Sequence, residues 1–302
     1  MDEKLNQIIS KINNILFGHS ERVEMALLSL LCEGHLLIED IPGVGKTTLA
    51  KALCKLLDLN FKRVQFTNDI LPSDIIGGLI FKRETEEFIF NKGPVFINLL
   101  LADEINRAPG RTQSALLEVM QEYKVSVEGR EYDVPRPFIV MATQNPENHI
   151  GTFPLPESQK DRFFLGLHLG VPERESELKV LQMPSSHERI QELRSILTKE
   201  DFNKHKDNIH SISVSDKVLN YILDIMAILR SDYKEYSLSP RAAQALVLAS
   251  KARAYLNKRD YVIPEDTKIM APYILGHRLG ENLNLKKGQE IVHESISKVP
   301  IR

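Results

Sequence analysis

The run Asp40-Ile41-Pro42-Gly43-Val44-Gly45-Lys46-Thr47-Thr48 constrains the fold more than any other stretch of this chain. The apolar residues Leu36-Leu37-Ile38 precede it, and the helix-favouring Leu49-Ala50-Lys51-Ala52-Leu53 follow. The segment therefore reads as a buried strand, a glycine turn and a helix, which commits the chain to a layered α/β architecture. Gly43 and Gly45 let the backbone turn its N–H groups inward, and the helix beginning near Lys46 aims its positive end at the same point. A triphosphate such as that of ATP fits this cradle of Pro42, Gly43, Val44 and Gly45, continued by Thr48. Lys46 would reach the β- and γ-phosphates and the Thr47 hydroxyl would ligate Mg²⁺. One position departs from the general pattern, which places a glycine where this chain has Asp40.

The rest of the composition bounds this reading. A chain of 302 residues can bury a sizeable core and form two domains of ordinary size. Its 39 basic and 41 acidic residues leave a net charge of -2, with no global excess to attract nucleic acid. The only cysteines, Cys32 and Cys54, lie in apolar stretches and read as buried thiols. The start Met1-Asp2-Glu3-Lys4 carries acid and does not read as a secretory signal. No apolar run approaches the length of a membrane span, so a cytoplasmic location is expected.

Up to about residue 170, short apolar strands alternate with amphipathic helices. Strands are expected at Leu36–Glu39, Phe61–Phe66, Phe96–Ala102, Phe138–Thr143 and Phe163–Leu169, several of them continuous apolar runs suited to burial on both faces of a parallel sheet. Helices are expected at Ser20–Cys32, Lys46–Leu57, Thr112–Glu122 and Glu157–Arg162. Two stretches break the alternation, at about 79–93 and 124–137, and read as inserted β-hairpins. Beyond residue 171 strand signals nearly vanish. Glu173–Leu181 and Lys217–Arg230 read as helices, with polar, charge-dense sequence between them. Ser239-Pro240-Arg241 opens a further helix and Pro264-Glu265-Asp266 another. The expected division is an α/β core over 1–170 and an all-helical domain over 171–302.

Hydrolysis chemistry has candidates at two further strand ends. The apolar run Asn98–Ala102 ends in Asp103-Glu104. Asp103 would hold Mg²⁺ and Glu104 would polarise the attacking water. The next strand delivers Gln144-Asn145-Pro146, whose Asn145 amide could donate to the γ-phosphate or orient that water. Ligands of open α/β sheets bind at such strand ends.

The motif Ala102-Asp103-Glu104-Ile105-Asn106-Arg107-Ala108-Pro109, continued by Thr112–Glu118, is similar to the signature of the MoxR family of AAA+ ATPases. So are Gly151–Glu157 with Asp161-Arg162-Phe163, and Leu238-Ser239-Pro240-Arg241-Ala242. The likeness spans about Phe17 to Arg278, and relatives write the cradle with the same Glu39-Asp40 start. This resemblance implies an AAA+ P-loop sheet with a helical lid. Phe17 and Gly18 then match the loop that touches adenine, and Asn145 matches sensor 1. Arg162 matches the arginine finger that reaches a neighbouring subunit's nucleotide, and Arg241 matches the lid residue that responds to the γ-phosphate. The first turn of a capped helix suits Arg241 to a phosphate. Arg107 would face the subunit boundary. The resemblance further implies a homo-hexameric ring that remodels or activates proteins, with partners carrying a von Willebrand factor A domain. A magnesium-chelatase-like motor subunit is the related alternative. A nucleic-acid translocase is disfavoured, because the hairpins mix Lys82, Arg83, Lys124 and Arg130 with Glu84, Glu86, Glu87, Glu128, Glu131 and Asp133. His19, His35 and His277 read as packing residues rather than metal ligands.

Overall fold

The architecture was obtained as a computed structural model that describes residues 3–145, 152–233, 238–279 and 284–300. Pro146 and Gly151, two positions of the motifs above, lie outside the described residues. Nine strands occur among the described residues: β1 (Leu36–Glu39), β2 (Phe61–Gln65), β3 (Gly77–Lys82), β4 (Glu87–Lys92), β5 (Leu99–Asp103), β6 (Lys124–Val127), β7 (Arg130–Asp133), β8 (Ile139–Gln144) and β9 (Leu165–Leu167). Five of them form one parallel sheet in the order β2-β5-β8-β1-β9.

Side-chain alternation explains why this sheet is covered on both faces. Leu36, Ile38, Leu99, Leu101, Ile139 and Met141 point to one side, where they join the first three helices and the helical half in a single core. Leu37, Leu100, Ala102, Val140 and Ala142 point to the other, against Leu116, Val119 and Met120 of the helix Gly110–Glu122. Every residue of β1 and β5 is buried, which accounts for their unbroken apolar runs. The strand β2 carries Lys62, Arg63 and Gln65 because it is the edge.

Boundaries shift where polar side chains or glycines intervene. The expected strand from Phe96 begins at Leu99, because Phe96 and Ile97 close a turn on Gly93 and Val95 while Asn98 bonds Asn60 and Pro137. The first hairpin, β3–β4, starts two residues early at Gly77. A Cβ there would stand 2.2 Å from the Asn91 carbonyl, so glycine is what lets the strands meet. The second hairpin, β6–β7, pairs only as far as Asp133. The two hairpins touch, with Phe90 stacked on Tyr132 at 4.0 Å between ring centres. The polar stretch 184–215 holds a helix at Lys199–Ser211, its first turn closed by reciprocal hydrogen bonds between Thr198 and Asp201. Phe202 and Ile209 anchor it to the core.

From Arg174 onward the regular elements among the described residues are helical, apart from one bridge between Ser213 and Tyr261. Ser239 caps the helix Pro240–Leu256, its hydroxyl accepting from the Ala242 N–H. Among the described residues no helix is long and apolar enough to cross a membrane.

Candidate functional site

The carboxyl ends of β5, β8 and β1 lie side by side and open on one polar cavity of about 290 Å³. The loop after β1 forms its floor. Gly43 and Gly45 adopt φ of 91° and 101°, conformations that favour glycine, and the helix Lys46–Leu56 starts directly afterwards. Lys46 Nζ donates to the Asp40 and Ile41 carbonyls at 2.8 and 2.9 Å, folded back over its own loop. Burial depresses its pKa, against the raising influence of Asp40, Asp103 and Glu104. Lys46, Thr47, Thr48, Asp103, Glu104 and Asn145 all line this cavity. Asn145 Oδ1 is buried there with no hydrogen-bond partner among the described residues.

A second, more apolar cavity of about 600 Å³ adjoins the first across Pro42, Gly43 and Gly45. Phe17, Ile41, Val44 and Leu181 line it, giving a base-sized apolar chamber beside a phosphate-sized polar one. Gly18, at φ 79°, packs against Pro172 and Ser176, so that a Cβ would approach both at 3.0 Å.

Asp40 departs from glycine because it holds the loop from behind. Its Oδ2 accepts from the Leu169 and Gly170 N–H groups at 2.6 and 2.9 Å, and its Oδ1 from the Ile41 N–H. The preceding Glu39 accepts from Gln144 and from the Leu285 N–H at the start of the helix Leu285–Ile296. Both carboxylates are buried; Asp40 ties the cradle to the end of the sheet half, and Glu39 ties it to the helical half.

The two acids at the end of β5 are already engaged. Asp103 accepts from Thr143 Oγ1 on one oxygen and from Arg63 on the other, each contact reaching 2.5 Å. Glu104, in a left-handed conformation at φ 57°, accepts from Gln65 at 2.9 Å and pairs with Arg107 Nε at 2.6 Å. Arg63, Gln65 and Thr143 were not singled out by sequence reasoning. The signal for two of them is position: Gln65 and Thr143 lie at the carboxyl ends of strands whose neighbours carry the candidates, whereas Arg63 sits in mid-strand and reaches the site only through its long side chain.

The candidate set is not all brought together. Arg162 and Arg241 line neither cradle cavity. They line a separate cavity of about 800 Å³ with Asp161, Ser239, Gln244 and Arg278. The link is Asp161, which accepts from Ser239 Oγ and from Arg278 Nε, both at 2.8 Å. Arg162 forms no ion pair among the described residues, so the acid beside it serves Arg278. Arg241 is exposed at the first turn of its helix, away from the cradle of its own chain. Arg107, assigned above to a subunit boundary, is held by Glu104.

His19, His35 and His277 are buried. His35 donates from Nε2 to the Met120 carbonyl and accepts at Nδ1 from the Val140 N–H, and burial holds its pKa down at about 4. Burial also lowers His19 and His277. Among the described residues no three acidic, histidine or cysteine side chains cluster as a metal site. The oxygens of Thr47 and Asp103 nonetheless fit Mg²⁺, a hard cation that takes one or two protein oxygens and completes its shell with phosphate and water.

Residues 35–165 match the family model described as the ATPase family associated with various cellular activities (AAA), and residues 226–295 match the AAA lid domain. The chaperone MoxR1 of Mycobacterium tuberculosis is 39% identical over 285 residues, covering 91% of this chain and 75% of that protein. The uncharacterized protein YeaC of Bacillus subtilis is 41% identical over 305 residues, covering 99% and 95%. A crystal structure from Cytophaga hutchinsonii, provisionally named an ATPase, superposes with a TM-score of 0.88 at 37% identity, covering 99% of this chain and 95% of that one.

Proposed function

The chain belongs to the MoxR family of AAA+ ATPases, and on that premise we propose that it hydrolyses ATP at the cradle between β1, β5 and β8. The observation that carries the proposal is the convergence of Lys46, Thr47, Asp103, Glu104 and Asn145 on one polar cavity that adjoins an apolar one. Adenine would enter beside Phe17 and Gly18, and the phosphates would meet the loop N–H groups and Lys46. Phosphate oxygens would replace the two loop carbonyls that Lys46 now bonds. Thr47 and Asp103 would hold Mg²⁺, which supplies charge neutralisation for the phosphates. Glu104 would accept the proton of the attacking water once Gln65 and Arg107 release it, and Asn145 would orient that water or the γ-phosphate.

Arg162 and Arg241 belong to a different step. With both guanidiniums on a separate cavity, the reading that fits is a ring in which the pair completes the site of the next subunit. An arginine supplied in this way is worth about 10³–10⁵ in turnover. A hexamer, Mg²⁺ dependence, remodelling of protein clients and von Willebrand factor A domain partners follow from the family resemblance. The exposed Phe81 and Phe88 at the tip of the first hairpin supply an apolar contact for such a partner.

The test mixes two dead variants. Lys46→Ala subunits keep Arg162 and Arg241, while Arg162→Ala subunits keep the cradle. Their mixture is expected to regain ATP turnover at boundaries where both intact groups meet. A mixture that never exceeds the sum of its components would remove the shared-site reading. Turnover by Glu104→Gln equal to the parent would remove Glu104 from its role.

A further inference from the structure

Both acids of the cradle are neutralised by arginines of their own chain, and one of those arginines has no place in the reading above. Arg63 donates from Nε at 3.0 Å and from Nη2 at 2.5 Å to the same oxygen of Asp103. The other oxygen takes the Thr143 hydroxyl at 2.5 Å. Arg63 also donates to Gln65 Oε1 at 3.2 Å, and Gln65 in turn donates to Glu104. A continuous chain, Thr143–Asp103–Arg63–Gln65–Glu104–Arg107, thus joins the two carboxylates. Arg63 lines the polar cavity itself, and its side chain is 48% exposed while that of Asp103 is 13% exposed.

We propose that Arg63 is a positioning residue that stands in for the divalent cation at Asp103 while the cradle lacks metal. The inference rests on the ATPase reading and adds a residue to it. Asp103 is nearly buried, and a buried carboxylate without a counter-charge is costly. The guanidinium offsets that cost and holds the carboxylate at the mouth of the cavity. It also lowers the negative charge that an incoming triphosphate must meet. With nucleotide and Mg²⁺ bound, the half-exposed arginine would swing away and leave the Asp103 oxygen to hold the metal. Arginine suits this part because its charge persists and its forked donors grip one carboxylate oxygen twice.

Removing the guanidinium acts unequally on the two kinds of binding. Binding of nucleotide without metal weakens, because Asp103 and Glu104 then face the phosphates with less compensation. Binding with metal is nearly unchanged, because Mg²⁺ restores the missing charge. The coupling between metal and nucleotide therefore grows. The affinity of the full chain for a fluorescent ATP analogue would be measured in excess EDTA and in saturating Mg²⁺, and the ratio of the two constants compared. At the short separations seen here, Arg63→Ala is expected to raise that ratio about tenfold over the parent. Arg63→Lys, which keeps the charge, is expected to stay within about threefold of the parent. A purely structural defect would weaken both constants together and leave the ratio alone. An unchanged ratio in Arg63→Ala, with the parent binding nucleotide normally, overturns this inference while leaving the ATPase reading intact. A parent that binds no nucleotide under either condition overturns both.

Discussion

Replacing Asp161 tests the joint between the strand half and the helical half. The Asp161 carboxylate accepts from Arg278 Nε and from Ser239 Oγ, each at 2.8 Å. The Arg278 side chain is only 4% exposed, so Asp161→Ala leaves a buried cation without its acid. Removing one partner of such a pair costs about 3–5 kcal/mol. The lower figure applies here, because Arg278 also donates to the Phe163, Phe164 and Ile274 carbonyls. In a chain of this size about 3 kcal/mol lowers the melting temperature by about 6 °C. Differential scanning fluorimetry of the nucleotide-free protein reads that shift. Asp161→Asn keeps one oxygen to accept from Arg278 Nε while its NH2 can donate to Ser239 Oγ, so it loses the charge but not the contacts, and its shift is expected to be about half as large. A melting temperature for Asp161→Ala within about 1 °C of the parent would refute the reasoning, since it would show the Arg278 charge to be satisfied by carbonyls alone. Because Ser239 starts the helix that carries Arg241, the same variant is expected to lose turnover at temperatures well below its melting.

Two further outcomes follow from the geometry. Gly45→Ala is expected to weaken nucleotide binding strongly in an equilibrium fluorescence titration, because φ is 101° and a Cβ at 2.3 Å would also displace the Leu16 methyl Cδ1. Gly43→Ala meets only the strain of φ 91° with nothing within 4 Å, so it is expected to bind more weakly than the parent but better than Gly45→Ala. His35 makes stability depend on pH with a definite sign. Its folded pKa of about 4 lies below the unfolded value of about 6.5, so the folded state binds fewer protons between them. Its contribution is complete above about pH 6.5 and is lost towards about pH 4, by up to about 1.4 kcal/mol per pH unit. Urea unfolding at pH 7 and pH 5 reads the slope. His35→Asn is expected to flatten it, and an identical slope in both proteins would exclude His35 as a source.

How far the site was legible depended on whether a residue's partner lay nearby in sequence. Gly43, Gly45, Lys46 and Thr47 announce the cradle because strand, turn and helix follow one another locally, and the structure places them as that pattern demands. Asp103, Glu104 and Asn145 were legible for the related reason that parallel strands align their carboxyl ends. Boundaries were legible to within a few residues, and they failed where one polar side chain overrode an apolar run, as Asn98 does ahead of β5. The helix Lys199–Ser211 was blurred by its polarity, with Phe202, His205 and Ile209 as its only buried residues.

Asp40 shows where sequence reading stops. The sequence marked it as a missing glycine that family relatives share, but gave no reason for it, because its partners are the N–H groups of Leu169 and Gly170 at the far end of the sheet half. Backbone donors leave no mark on residue identity, so no pattern could have named them. Arg162 and Arg241 were named from their motifs, but the link that brings them to one cavity, Ser239 to Asp161 across 78 positions, was not. These long-range polar contacts lie beside the shared apolar core that joins the sheet to the helical half. Asp40 grips the cradle and the start of the connection, Glu39 grips Leu285, and Asp161 grips both Ser239 and Arg278. Movement of Lys46 from the Asp40 carbonyl to a phosphate would therefore act first on the loop whose carboxylate holds residues 169 and 170. The residue that made the cradle look imperfect is the one positioned to couple it to the rest of the chain.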